Sequence, residues 1–198
     1  MATDIEQIIK NLSSFYNFNG KTIAHVGAGG GALIDDSNLP PKIIAIDQDE
    51  EGLNQLKEQI KNTTFKNNFS YICNDFCKVK ISCDTVFFEF CLHEMRNPIK
   101  TLNHAKGLAE ETIIIDHYTN SEWSWYTCET GKISKSWEAI KNNDVKREEI
   151  FDATQIFKNY NELYDKLKVV GHESIKRIEK FKEKNNIIIQ MPYGIVLL

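Results

Sequence analysis

Five short apolar runs punctuate the first two thirds of the chain. KTIAHVGAG (21–29), KIIAID (42–47), FSYIC (69–73), DTVFFEF (84–90) and TIIIDHY (112–118) are rich in β-branched and aromatic residues. Each is near-continuously apolar rather than alternating. That pattern predicts strands covered on both faces, as in a parallel sheet. Helix-compatible stretches lie between them: GALIDD (31–36), DEEGLNQLKEQIKN (49–62) and NPIKTLNHAKGLAEE (97–111). In the second of these, Leu53, Leu56 and Ile60 share one face at spacings of three and four. Alternation of strand and helix predicts a doubly wound α/β architecture. The chain opens with MATDIEQIIKNLSSF, acidic and then amphipathic, which predicts an N-terminal helix within residues 1–18.

The last third follows another rhythm. ATQIFKNYNELYDKLKVVG (153–171) reads as one helix closed by Gly171. HESIKRIEKF (172–181) and NNIIIQM (185–191) read as two strands, and the short KEKN connection allows only a hairpin. The fold class expected is thus a Rossmann-like doubly wound sheet, mostly parallel, with an antiparallel C-terminal hairpin strand, forming one domain over 1–198. The segment 119–150 interrupts the alternation. It carries Trp123, Trp125, Tyr126 and Trp137, which include all three tryptophans. It reads as an aromatic-rich insertion or lid, with about two of the four rings expected to face a pocket.

Composition narrows the classes. The chain has 198 residues, 41% hydrophobic and 26% charged, as in a globular protein with a full core. A net charge of −4 gives no basis for a general nucleic-acid-binding surface. No apolar run reaches the roughly 18 residues of a membrane-spanning helix, so no membrane partner is expected. Neither does the N-terminus carry a basic-then-apolar signal peptide. Five scattered cysteines without an export signal suggest free thiols in the reducing cytoplasm.

The strongest local signal is HVGAGGGAL, directly after the first strand. Gly27, Gly29 and Gly31 permit a tight turn and a close approach of ligand to backbone. Asp47 closes the second strand, twenty residues after Gly27. In a Rossmann-like unit such a carboxylate accepts the ribose hydroxyls of an adenosine. GAGGGA also satisfies the dinucleotide pattern, so an NAD-dependent oxidoreductase competes, although 198 residues leave little room for a substrate domain.

Four segments together resemble the class I S-adenosylmethionine-dependent methyltransferases. HVGAGGG is similar to their first motif, IAIDQDE to their second, YICNDF to their third and DTVFFEFCLHEMRNP to their fourth. LHEM before an Asn-Pro helix start resembles the ubiquinone/menaquinone C-methyltransferase-like subgroup. The resemblance covers residues 20–118 well and the C-terminus loosely. It implies S-adenosyl-L-methionine as cofactor. Gly27, Ala28, Gly29 and Gly31 would then line its methionine and ribose portion. Asp47 would hold the ribose, and Gln48 would lie against adenine. Asn74 and Asp75 would meet the adenine edge, with Phe76 packed on the ring. Glu89, Phe90 and Cys91 would flank the sulfonium. Many members carry an acidic residue two places before the first glycine, and here His25 stands there.

Methyl transfer is an in-line displacement, and an oxygen or nitrogen nucleophile also needs a base. Groups at the carboxyl ends of the strands are Glu89, His93, Glu94, Asp116, His117 and Tyr118. Glu89, His93 and His117 are the catalytic candidates. Glu89 sits in an apolar run, where a lone carboxylate is costly and a partner is expected. Glu89, Cys91, His93 and His117 match no zinc signature, so no metal is expected. The acceptor is expected to be a small molecule, planar or aromatic if the tryptophans stack on it. A non-catalytic nucleoside-binding module of the same fold is the other alternative. Oligomeric state is open, a homodimer included.

Overall fold

A computed structural model of the chain describes residues 5–31 and 38–198. The predicted GALIDD helix lies almost wholly outside the described residues. The N-terminal helix is present as α1 (Ile5–Phe15), which buries Ile8, Leu12 and Phe15. All five apolar runs form strands: β1 (Thr22–Val26), β2 (Lys42–Asp47), β3 (Phe69–Cys73), β4 (Thr85–Glu89) and β5 (Glu111–His117). Between them run α2 (Glu50–Ile60) and α3 (Pro98–Lys106). Both helices start where capping chemistry allows. Asp49 accepts from the Glu51 N–H at the head of α2, and Asn97 from the Lys100 N–H at the head of α3, where Pro98 follows.

The main sheet has the order β3-β2-β1-β4-β5-β9-β6. Strands β1 to β5 pair in parallel, with His25 opposite both Ala45 and Phe87. β9 (Tyr193–Leu197) runs antiparallel between β5 and β6 (Arg147–Phe151). The pleat sends successive side chains to opposite faces. Ile23, Phe87, Ile113, Ile115 and Ile195 pack on one face with residues of α1. Ala24, Val26, Ile46, Val86, Phe88 and Ile114 pack on the other with Leu102 and Ala105 of α3. Covering both faces accounts for the unbroken apolar runs.

The C-terminal third departs from expectation in its elements. Residues 153–171 are not one helix. Thr154–Asn159 is a strand, β7, and only Tyr160–Leu167 is helical, as α6. In β7 Gln155 and Phe157 are buried while Ile156 between them is exposed, a period of two. Asn159 then caps α6 by accepting from the Glu162 N–H, while the Glu162 carboxylate accepts from the Lys158 N–H, close to a capping box. The expected strand HESIKRIEKF is helical instead, as α7 (His172–Ile178). Its Ser174 and Ile178 are buried four apart, and Glu173 pairs with Arg177 at the same spacing. NNIIIQ is a strand, β8 (Asn185–Gln190), but its antiparallel partner is β7 in a separate two-stranded sheet. The antiparallel strand of the main sheet is the one after it, β9.

The aromatic segment holds α4 (Glu122–Tyr126) and α5 (Thr130–Lys141), the crossover from β5 to β6. Trp123, Tyr126 and Trp137 are buried in the core, and Trp125 is on the surface beneath the Arg177 guanidinium. Trp137 packs edge-on against Tyr118, donates its indole N–H to the His117 carbonyl at 2.6 Å and lies over Gly194. Among the described residues none of the four rings lines the cavity described below. Burying large aromatic area in the core is the stronger demand here.

Candidate active site

A cavity of ≈ 400 Å³ opens at the carboxyl ends of β1, β2 and β4. This is where open α/β sheets bind ligands, at the point where strand order reverses. β1 ends in Gly27, which has φ of +76°. A Cβ there would stand 2.5 Å from the Cys91 Cβ, so only glycine lets the two strand ends approach. Gly27 and Gly30 line the cavity. Ala28 is fully buried, and its side chain packs with Leu53 and Leu56 of α2. Gly29 donates its N–H to Asp47 Oδ2 at 2.8 Å, and the other oxygen accepts from the Asp49 N–H at 2.9 Å. Asp47 therefore joins the glycine turn to the start of α2. A carboxylate has about four acceptor positions, so two remain for a ligand.

Gln48, Asn74, Asp75 and Phe76 form the next part of the wall. Asn74 accepts from the Asp75 N–H, and Asp75 from the Cys77 N–H. Phe76 is buried edge-on against Phe88 and His104. At the end of β4 the wall is Glu89, Phe90 and Cys91, then Glu94 and Met95. Phe90 adopts φ of 45°, the left-handed region that costs a non-glycine residue strain. Its N–H is held by the Ile115 carbonyl at 2.8 Å, and its ring packs against His117 and Tyr193. The Cys91 thiol is buried 3.1 Å from the Val26 carbonyl, and burial pushes its pKa well up, so it is no ready nucleophile. His25 does not line the cavity. Its ring stacks on Phe87, and its Nε2 lies 2.9 Å from Glu89 Oε2. Glu89 at the end of β4 thus places a carboxylate beside His25 of β1.

Behind this wall lies a group that composition alone did not reveal. Asp116 is fully buried at the end of β5. Its carboxylate accepts from the His93 N–H at 3.0 Å, the His117 N–H at 2.9 Å and the His93 Nδ1 at 2.5 Å. His93 Nε2 then points toward Glu94 Oε1 at 3.5 Å and Glu129 Oε2 at 3.9 Å. Lys132 reaches the outer oxygens, 2.9 Å from Glu94 Oε2 and 3.7 Å from Glu129 Oε1. Burial acts to lower the His93 pKa, but the bonds to Asp116 and Glu94 outweigh it and push the value up to about 10. His93 and Glu129 hold Glu94 well below the usual carboxylate range, whereas burial and contact with Glu94 raise Glu129. Burial pushes His117 down to about 4, and its Nδ1 is buried without a hydrogen-bond partner among the described residues.

Of the residues expected from sequence, Gly27, Asp47, Gln48, Asn74, Asp75, Phe76, Glu89 and Phe90 meet at one cavity. Gly29 touches it through Asp47, and His25 through Glu89. Gly31 and the rings of His93 and His117 do not line it. Met95 and Glu129 were not anticipated. Glu129 sits in the aromatic segment, thirty-five residues after Glu94, and only the α5 crossover brings it back.

No family model matches the sequence, and no curated protein matches it. Solved structures do. A protein of Bacillus halodurans C-125 assigned as a methyltransferase aligns over 96% of this chain and 97% of its own, with 13% identity and a TM-score of 0.70. A SAM-dependent methyltransferase from Aquifex aeolicus aligns over 98% and 88%, at 18% identity and a TM-score of 0.57. Magnesium protoporphyrin IX methyltransferase from Synechocystis, with bound SAM, aligns over 97% and 77%, at 12% identity and 0.53. The chain has the Rossmann-like fold these methyltransferases share.

Proposed function

We propose that the protein is an S-adenosylmethionine-dependent methyltransferase acting on a small-molecule acceptor. The observation that carries this reading is the single cavity where a bare glycine turn, the Asp47 carboxylate and the His25–Glu89 pair converge. Each answers a part of the cofactor. Asp47 would accept the ribose hydroxyls with its remaining lone pairs. Asn74, Asp75 and Phe76 would hold the adenine. Glu89, steadied by His25, would receive the ammonium of the methionine portion. The Phe90 turn and Met95 would border the methyl group.

S-adenosylmethionine, when bound, would supply a methyl group on a sulfonium: the acceptor's electron pair would bond the methyl carbon while the C–S pair stayed on sulfur, leaving neutral S-adenosylhomocysteine. The protein's part is alignment, exclusion of water and removal of the acceptor's proton where it has one. Glu94, which lines the cavity and lies 3.5 Å from His93 Nε2, would link the acceptor's proton to the Asp116–His93 pair. The LHEM turn and the Pro98 helix start support placing the chain near the ubiquinone/menaquinone C-methyltransferase-like subgroup. Five unpaired thiols support a reducing cytoplasmic setting. A dinucleotide oxidoreductase is disfavoured by the sheet, whose β9 runs antiparallel where the NAD-binding order continues in parallel.

Calorimetry with S-adenosylmethionine, S-adenosylhomocysteine and NAD tests the reading. Saturable binding of the first two and not of NAD is expected, and binding of NAD alone would refute it.

A further inference from the structure

The array behind the cavity wall does more than a structural ion pair needs. We propose that His93 Nε2, Glu94 Oε1 and Glu129 Oε2 form a binding site for a divalent first-row transition-metal ion at the acceptor end of the cavity. The three donor atoms lie within 4.8 Å of one another. An ion with bonds of about 2.1 Å sets its ligands about 3.0–3.4 Å apart. The observed separations of 3.5 and 3.9 Å from Nε2 close to that with small rotations of the two glutamates.

Every donor is already aimed by a second group. Asp116 holds His93 through Nδ1, so when the Nε2 proton leaves, the lone pair is on Nε2, the atom turned toward the two carboxylates. A carboxylate behind a histidine ligand is the usual outer-shell support of a metal site. Thr127 donates to Glu129 Oε2 at 2.8 Å. Lys132 takes the outer oxygens, Glu94 Oε2 and Glu129 Oε1, and leaves the inner pair for the ion. Charge points the same way. An ion would displace the Nε2 proton of His93, and the carboxylates of Asp116, Glu94 and Glu129 would then face the divalent charge together with the ammonium of Lys132. One imidazole and two carboxylates suit Mn²⁺, Fe²⁺ or Zn²⁺ better than Ca²⁺.

Glu94 also lines the cofactor cavity, so positions left on the ion would open toward the acceptor. They would take an acceptor that offers an oxygen, a hydroxyl or enolate, and acidify it as a Lewis acid does. The ion site stands on its own residues and does not require that S-adenosylmethionine be the cofactor.

The test is equilibrium binding of Mn²⁺ and Zn²⁺ to the chelator-treated full chain. Elemental analysis gives the stoichiometry, and the spin-resonance signal of free Mn²⁺ gives the affinity. One ion per chain is expected for the parent. Glu129→Gln and Glu94→Gln, both on partly exposed side chains, should each lose at least ~10-fold in affinity, and Thr127→Val about 10-fold. Circular dichroism of each variant separates loss of a ligand from loss of fold. If no ion binds above the chelator-treated baseline, or both Gln variants bind as the parent does, the proposal fails. The array is then a closed ion-pair network of protonated His93, Glu94 and Lys132.

Discussion

Asp47 carries the clearest residue-scale consequence. Its carboxylate bonds the Gly29 and Asp49 N–H groups and keeps lone pairs free toward the cavity. Asp47→Ala should cost about 1–2 kcal/mol of S-adenosylhomocysteine affinity, or about 5- to 30-fold, measured by calorimetry. An unchanged dissociation constant would mean the ribose lies elsewhere. His117 gives a pH prediction. Burial pushes its folded pKa to about 4, below the ordinary 6.5, with the charge of Asp116 opposing the shift and His93 adding to it. The unfolded chain therefore binds the proton first, and this contribution to stability is lost as pH falls from 6.5 toward 4. The melting temperature of His117→Gln should fall less over that window than the parent's. Parallel curves would contradict the assignment. Much of the site at this scale was legible. Asp47 and Glu89 end the apolar strands β2 and β4, Asp75 lies two residues past β3, and a strand end fixes its neighbours in space. Glu129 was not legible, because its place depends on how α5 packs and not on local pattern.

At the scale of elements, the contact between α5 and β9 is the most sensitive. A Cβ on Gly194 would come within 2.4 Å of the Trp137 ring, which is itself buried and hydrogen-bonded to the β5 end. Gly194→Ala should destabilise by about 1–3 kcal/mol in denaturant unfolding, the usual cost of overpacking. Trp137→Phe removes the clashing edge, so the double variant should lose less than the sum of the two singles. Strict additivity would show that the ring can move aside. The sequence reading failed among these same C-terminal elements. A period-two strand, β7, runs straight into a period-3.6 helix, α6, and both share apolar residues. The Asn159 to Glu162 cap marks the break and was present in the sequence as Asn-x-x-Glu. α7 carries β-branched isoleucines that suit a strand, yet Ile175, Ile178 and Phe181 step by three, a helical spacing.

For the whole molecule, topology does what identity does not. Solved methyltransferases at 12–18% identity share the sheet, because an α/β sandwich asks only for apolar strands and amphipathic helices in the right order. Those features survive where individual residues do not, which is why the first five strands could be read by pattern alone. A crystal structure of the protein with S-adenosylhomocysteine tests the central claim most directly. The ligand is expected at the carboxyl ends of β1, β2 and β4, with both ribose hydroxyls within hydrogen-bond distance of Asp47 and its ammonium on Glu89. Ligand bound away from the Gly27 turn, or an Asp47 carboxylate turned from it, would contradict the account.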